Sequence, residues 1–456
     1  IYTGEDTLSL HDALPISLGE FIDNSITSYV ATLRAGTVSG VTREKLRVEI
    51  KWDRETETII IEDNAAGIPN TTGGWDRVLQ VGARNPDPNH LGVYGYGLKA
   101  AALWWSPRFK IESKVAGESV LRWAEIDRNR IGDRLFTPLH VMDAPIDLHF
   151  TRVTLIGLNK KKSIPYGQTV RKIKDYLASM YRVYLRGDHA DYSLPGNVPF
   201  LELIVQGESL AAPVNEILTS QYWASSDELP SGEEIYWKRE DIEIRVPAED
   251  LPDGYRAIRG WVGLLAKGRP NDAGFFMMFR GKGVVGIGEG VGSNEDLYRP
   301  TELVGSGNTN RRQRFIGEFD VSAFGKSITT DDIGWSSEEE SYFLAKLREI
   351  LKDERMPLWQ MAENWRPSKL EELRSRDRDV YEDAVASAVE AAELEVASPT
   401  KQSGFSTREV HHEPPTTDIK VPSSFRKEFP WEGSTVIFEG VLDLLEREWL
   451  NIYKSE

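Results

Sequence analysis

The chain has 456 residues, 40% of them hydrophobic, and a formal net charge of −17; that length can bury two or three ordinary cores and excludes a single small module. Cysteine is absent, which excludes disulfides, thiolate metal sites and a cysteine nucleophile and fits a cytoplasmic setting better than a secreted one. The acidic balance repels nucleic acid on average and leaves only a local basic cluster, such as Arg311, Arg312 and Arg314 or Lys160 to Lys162, to attract it.

No apolar run approaches the roughly 20 residues needed to span a bilayer, and the scattered histidines suggest no zinc site. The chain starts at Ile1, and residues 1–16 do not lead naturally into the segment after them. They read as foreign to it, in the manner of translated adaptor sequence.

From Leu18 to Ser25 the order Leu-Gly-Glu-Phe-Ile-Asp-Asn-Ser sets Glu20 and Asn24 at i and i+4. Four helical residues turn the chain through about 400°, so both side chains leave one face about a turn apart. A carboxylate able to take a proton from water then sits beside a neutral oxygen suited to a hard cation such as Mg. Phe21, Ile22 and Ile26 form the packing face. A solvated Glu and Asn on any amphipathic helix would carry the same letters.

The helix is expected to reach about Arg34. Leu46 to Trp52 alternates at strand period, a charged turn follows at Asp53 to Glu57, and Thr58 to Glu62 reads as a second, more buried strand. That hairpin ends in Asp63-Asn-Ala-Ala-Gly-Ile-Pro69. A carboxylate at the end of a buried strand needs a donor, and Ala65, Ala66 and Gly67 keep side chains away where a flat ligand could lie. A plain turn explains the same letters.

Thr71 to Asn89 reads as a mobile cover with a short helix at Trp75 to Val81. Then Gly92-Val-Tyr94-Gly95-Tyr96-Gly97-Leu98-Lys99 runs into the apolar Ala100 to Trp105. A glycine-rich turn entering a helix offers backbone N–H groups and the positive end of the helix dipole to phosphate, and Lys99 adds a point charge. The spacing is G-x-x-G-x-G, not that of a P-loop, and a flexible loop would look alike. Arg108 to Lys114, Val120 to Ile126 and His149 to Ile156 read as strands.

In this order, Glu20-x-x-x-Asn24, Asp63-x-x-x-Gly67, Gly92-x-x-Gly95-x-Gly97 and Thr151 resemble the ATPase domain shared by gyrase, the ninety-kilodalton heat-shock chaperone, histidine kinases and MutL, the GHKL superfamily. The glycine stretch is most similar to the microrchidia (MORC) ATPases and their bacterial relatives.

The resemblance spans about residues 17–165 and implies an α+β fold. The expected form is a two-layer α/β sandwich with a mixed, mainly antiparallel sheet, helices on one face, and ATP with Mg between the layers. It further implies Glu20 as general base, Asn24 as Mg ligand, Asp63 as acceptor of the adenine amino hydrogen, and Gly67 as the residue that lets the base approach. Gly92, Tyr94, Gly95, Tyr96, Gly97 and Leu98 would form the lid over the phosphates, with Lys99 on phosphate and Thr151 near adenine or its water. Two positions depart from the pattern: Ala65 stands for the first glycine of Asp-x-Gly-x-Gly, and Phe150 precedes Thr151 where glycine is usual.

A helix is expected over Gly167 to Arg186, followed by strands at Phe200 to Val205, Ile235 to Trp237, Ile242 to Val246 and Arg256 to Leu265. Gly274 to Val285 reads as a hairpin with a Gly/Lys turn. Arg314 to Phe324 with Thr329 to Trp335 resembles the transducer domain of gyrase, MutL and MORC proteins, giving a transducer-like region at 166–335. The transducer lysine's place holds Thr330, with Lys326 or Lys282 as substitutes. Residues 336–397 read as helical, 398–430 as a linker, and 431–456 as the start of a further segment with a short strand and an amphipathic helix.

The expectation is an Mg-dependent, slow ATPase in which ATP binding closes the lid and brings two copies of the chain together. The alternative is a nucleotide-gated scaffold with little or no hydrolysis. Association with DNA is suggested by the resemblance and unsupported by the charge.

Overall fold

Strand alternation fixes the first hairpin. β1 (Leu46–Asp53) buries Leu46, Val48, Ile50 and Trp52 and exposes the residues between them or leaves them part-buried, and β2 (Thr58–Asp63) buries Ile59, Ile61 and Asp63. The two pair antiparallel with Val48 opposite Asp63 and Ile50 opposite Ile61. A computed structural model describes residues 10–35, 45–70, 74–79, 91, 97–128, 138–158, 167–187, 201–270, 272–287, 298–324, 333–371, 373–374, 424–431, 434–441 and 450–455. Residues 92–96, Lys326, Thr329 to Asp331 and most of the helix expected after Pro367 lie outside them.

The chain divides into two units, Ile1–Trp365 and Arg366–Glu456. In the first, β3 (Arg108–Lys114), β4 (Val120–Asp127), β5 (His140–Asp143), β6 (Phe150–Ile156), β7 (Leu201–Val205) and β8 (Glu208–Ser209) extend the hairpin into an eight-stranded sheet of order β5-β4-β3-β6-β2-β1-β7-β8. β1 and β7 run parallel, and the other neighbours in this sheet are antiparallel. The expected mixed, mainly antiparallel α+β architecture is therefore present. The sheet continues past residue 165 to β7 and β8.

The helices of this part are α1 (Leu10–Ala35), α2 (Trp75–Leu79), α3 (Gly97–Trp105), α4 (Gln168–Met180) and α5 (Arg182–Arg186). α1 packs on β1, α3 and α4, and α3 packs on β3. Leu18, Phe21, Ile22 and Ile26 of α1 and Ala101, Ala102 and Trp105 of α3 are buried, as are Ile50, Ile61, Phe109, Ile111 and Leu155 of the sheet. The indole N–H of Trp105 donates to Ser17 Oγ at 2.9 Å.

α1 starts upstream of the point the sequence suggested, with Pro15 inside it. A proline in a helix removes a backbone bond, but Pro15 is buried, and packing outweighs that local preference.

Next come the short ribbon β9 (Thr219–Tyr222) and β10 (Ser231–Tyr236), then β11 (Lys238–Pro247), β12 (Tyr255–Leu264), β13 (Gly274–Phe279), β14 (Lys282–Val285) and β15 (Phe315–Asp320). The last five form a sheet of order β11-β12-β15-β13-β14, with β13 and β15 parallel. The hairpin expected at 274–285 is β13–β14, and every residue of β13 is buried. Val183, Leu265, Ala273, Phe276, Met278 and Ile316 share one core cluster.

α6 (Thr301–Val304), α7 (Asn310–Arg314), α8 (Ser337–Leu351) and α9 (Leu358–Asn364) complete this unit. α8 starts with a capping box in which Ser336 and Glu339 satisfy each other's backbone N–H.

One buried carboxylate joins the second sheet to α5. Glu318 on β15 is 4% exposed and receives Arg186 Nη2 at 2.6 Å, Arg186 Nη1 at 2.9 Å and Trp261 Nε1 at 3.1 Å. The fully buried Arg182 reaches it at 3.4 Å, with its guanidinium 3.7 Å from the centre of the Phe276 ring.

In the second unit β16 (Ser424–Trp431), β17 (Ser434–Val441) and β18 (Leu450–Ser455) form an antiparallel sheet. This differs from the expected linker and amphipathic helix. Residues 424–430 are strand, and Leu450-Asn-Ile-Tyr453, which fits a two-residue period as well as a helical one, pairs with β17.

Arg182→Ala removes one donor from Glu318 while Arg186 and Trp261 keep theirs, and a lost hydrogen bond to a charged group costs about 1.5–3 kcal/mol. Urea unfolding of this variant is expected to show a loss of that size.

Candidate functional site

Asp63 closes β2 and is only 8% exposed. Strand register explains its surroundings: Thr151 of β6 lies opposite it on one side and Val48 of β1 on the other, while Ser113 of β3 faces Thr151. Asp63 Oδ1 accepts the backbone N–H of Ala65 at 3.0 Å and of Thr151 at 3.2 Å. Oδ2 accepts the hydroxyl of Ser25, on α1, at 2.6 Å.

A carboxylate has about four acceptor positions. Three are taken, so one is left for a donor from outside. Burial pushes the Asp63 carboxyl up to about 6, and the hydrogen bonds from Ser25, Ala65 and Thr151 only partly counter it.

The loop after Asp63 is laid along the end of β3. Ile68 N–H donates to Ser113 Oγ at 2.7 Å, and Ala116 N–H to Ala66 O at 3.3 Å. Gly67 has φ +84, and a Cβ there would stand 2.3 Å from Lys114 O. Only glycine meets both demands.

One residue before Ser25, Asn24 is exposed, and its Nδ2 donates to Glu20 O at 2.5 Å. That bond commits the nitrogen, and the side-chain oxygen is the atom left for a ligand. Glu20 is part-buried. Its carboxylate lies against the first residue of α3, since a Cβ on Gly97 would fall 1.8 Å from Glu20 Oε2.

The carboxylate thus sits at the positive end of a nine-residue helix. Leu98 and Lys99 are part-buried on the first turn of α3. Lys99 Nζ donates to Arg77 O of α2 at 3.1 Å, and burial pushes its pKa down.

Two groups of expected residues are therefore brought together, Asp63, Gly67 and Thr151 at the sheet end and Glu20, Gly97 and Lys99 at the start of α3, with Asn24 one turn on from Glu20 and α1 common to both. Gly92, Tyr94, Gly95 and Tyr96 lie outside the described residues. Sequence reasoning missed Ser25 and Ser113. Ser25 had a visible signal, a small hydroxyl directly after Asn24 on a helix with an apolar face, whereas Ser113 acquires its place only through the β3–β6 register.

Among the described residues no three His, Asp or Glu side chains converge to cage a metal. Mg keeps several waters and takes one or two protein oxygens together with substrate phosphates, a demand that the oxygen of Asn24 fits. Among the described residues no helix is long and apolar enough to cross a membrane.

Asp63 titrates higher in the folded chain, at about 6, than its ordinary value of 3.8. Its contribution to stability is fully present below that lower value and is lost as pH rises through the upper one. Asp63→Asn is therefore expected to be more stable than the parent at neutral pH by about 1–3 kcal/mol, with the gap closing towards about pH 4. Thermal or urea unfolding across that range measures it.

Residues 13–152 match the family model described as Histidine kinase-, DNA gyrase B-, and HSP90-like ATPase. No curated protein matches the chain. Among solved structures, the chain is similar to the ATPase region of Saccharomyces cerevisiae topoisomerase II at 12% identity and a TM-score of 0.40, covering 77% of this chain and 86% of that one. The same region bound to ICRF-187 (dexrazoxane) matches at 12% identity and a TM-score of 0.38, covering 75% and 86%. The family match spans most of α1, the first hairpin, α3 and most of the antiparallel strands, so the residues gathered around Asp63 and Glu20 fall inside the region similar to ATPases of the histidine kinase, DNA gyrase B and HSP90 type.

Proposed function

We propose that this chain binds ATP with Mg through residues 17–165 and hydrolyses it slowly. The observation that carries the reading is Asp63, a buried carboxylate with one acceptor position to spare, bonded to the helix that also bears Glu20 and Asn24. That spare position suits the adenine amino group. Gly67 and the small residues before it let a flat base lie against the loop, and Thr151 borders the same place.

The triphosphate would then lie at the start of α3, where Gly97 and Leu98 offer backbone N–H groups and Lys99 a cation, and the sequence of Gly92, Tyr94, Gly95 and Tyr96 suits the rest of a phosphate lid. Asn24 contributes an oxygen to Mg, which when bound neutralises phosphate charge. Glu20 takes the proton of the attacking water. Its contact with Gly97 aims the carboxylate, and positioning with charge neutralisation is most of what phosphoryl transfer needs.

The glycine stretch supports a MORC-like subtype, in which ATP closes the lid and two copies of the chain associate. The five-stranded sheet is read as the core of a transducer-like region at 166–335. A second reading, a nucleotide-gated scaffold with negligible hydrolysis, draws on Thr330 in the transducer lysine's place and on Lys282, whose ammonium is engaged by Asp23.

Titration with a non-hydrolysable ATP analogue, phosphate release in the presence of Mg, and mass before and after nucleotide separate the readings. Absence of binding would overturn both.

Glu20→Ala is expected to lower turnover by about 100-fold or more with nucleotide affinity retained; unchanged turnover would remove Glu20 from its role. Gly97→Ala, whose methyl group would displace the Glu20 carboxylate, should act in the same direction, as single-turnover phosphate release can show. Adenine recognition needs Asp63 ionised, so affinity should fall by about tenfold between pH 7.5 and pH 5, a dependence that calorimetric titration of Asp63→Asn should no longer display.

A further inference from the structure

A buried ion pair joins α1 to the second sheet. Asp23, between Glu20 and Asn24 on α1, is 2% exposed, and Lys282, the first residue of β14, is 3% exposed. Lys282 Nζ meets Asp23 Oδ2 at 2.5 Å across 259 positions of sequence. The other carboxylate oxygen accepts the hydroxyl of Tyr181 at 2.6 Å, and that hydroxyl also lies 2.8 Å from Gly19 O.

Tyr181 occupies the break between α4 and α5. A Cβ on Gly19 would come within 3.1 Å of both Met180 Sδ and the Tyr181 hydroxyl, so α1 and the α4–α5 elbow meet almost backbone to side chain. The β13–β14 turn rests on the same elbow, with the Tyr184 hydroxyl donating to Arg280 O.

We infer that Lys282 is a positioning residue that, with Tyr181, fixes the rotation of α1 and thereby the aim of Glu20 and Asn24. The inference rests on the reading of Glu20 as general base. Glu20, Asp23 and Asn24 stand at i, i+3 and i+4, so they share a helix face and turn together.

A charge buried without its partner is strongly unfavourable, so Asp23 cannot leave Lys282 cheaply and α1 cannot roll. The tolerance is small on the opposite side too, because Glu20 is already in contact with Gly97. A hairpin of the second sheet thus sets the rotation of α1, and its one ammonium acts on the reaction without touching nucleotide.

The test pairs Asp23→Asn with Lys282→Met in one chain, which leaves no unpaired buried charge, and sets it beside Tyr181→Phe. Three quantities are read: amide hydrogen exchange of Leu18–Ile26 without nucleotide, affinity for a non-hydrolysable ATP analogue, and the rate of phosphate release. The double variant is expected to exchange about tenfold faster in α1 and to lose about tenfold in kcat while keeping its affinity within about threefold. Parental exchange and kcat would overturn the inference, and so would affinity and kcat falling in parallel, which would mark a general structural role.

If the double variant does not fold, Tyr181→Phe decides, with α1 exchange about threefold faster expected and an unchanged rate overturning the inference. Should the parent chain bind no analogue, the ATP reading falls, while the exchange measurement still reports on the anchoring.

Discussion

A carboxylate buried at the end of a strand must find its donors elsewhere, and Asp63 finds them on three separate elements: α1 through Ser25, its own loop through Ala65, and β6 through Thr151. Each of those bonds fixes the element that provides it. The loop is then threaded past β3 with Gly67 at its tightest point, and α1 is held close enough for Glu20 to reach the first residue of α3. The site follows from satisfying one expensive acid.

α1 is gripped on two sides through buried acids, one on the first sheet and one of its own. Ser25 binds Asp63 on the first sheet, and Asp23 binds Lys282 and Tyr181 from the second half of the unit. Tyr181 and Arg182 are adjacent in sequence and point their polar ends at different partners, the first at α1 and the second at Glu318 on β15. The α4–α5 elbow therefore links α1 to the second sheet through polar bonds in a dry setting, where hydrogen bonds are strong and unpaired groups are costly. Such bonds favour one arrangement over a continuum of nearby ones.

The sequence disclosed the parts of this arrangement that depend on short range. Alternation in Leu46 to Glu62 located the first hairpin, the apolar face of Phe21, Ile22 and Ile26 is the buried one, and Asp63 at the end of a buried run demanded a donor. Which donor it takes was not legible, because Ser25 lies 38 positions away and only the fold brings it near. Asp23 looked like an ordinary helix acid between two more informative neighbours, and nothing in the letters tied it to Lys282.

Pro15 and the residues from Ser424 onward misled for a related reason. Local preference there is weak or contrary, and the outcome is decided by burial in the first case and by strand pairing in the second.

The parallel pairing of β1 with β7 has a bearing on synthesis. Every other neighbour of β1, β2, β3 and β6 is made within the first 160 residues, yet the flank of β1 that Leu201 to Val205 will occupy stays open until those five residues leave the ribosome. An uncovered edge of alternating Val, Ile and Trp is a template for pairing with other nascent chains. The growing polypeptide therefore passes through a window in which one edge of its first hairpin has no strand partner, and that window closes only when a strand from well beyond the nucleotide motifs arrives.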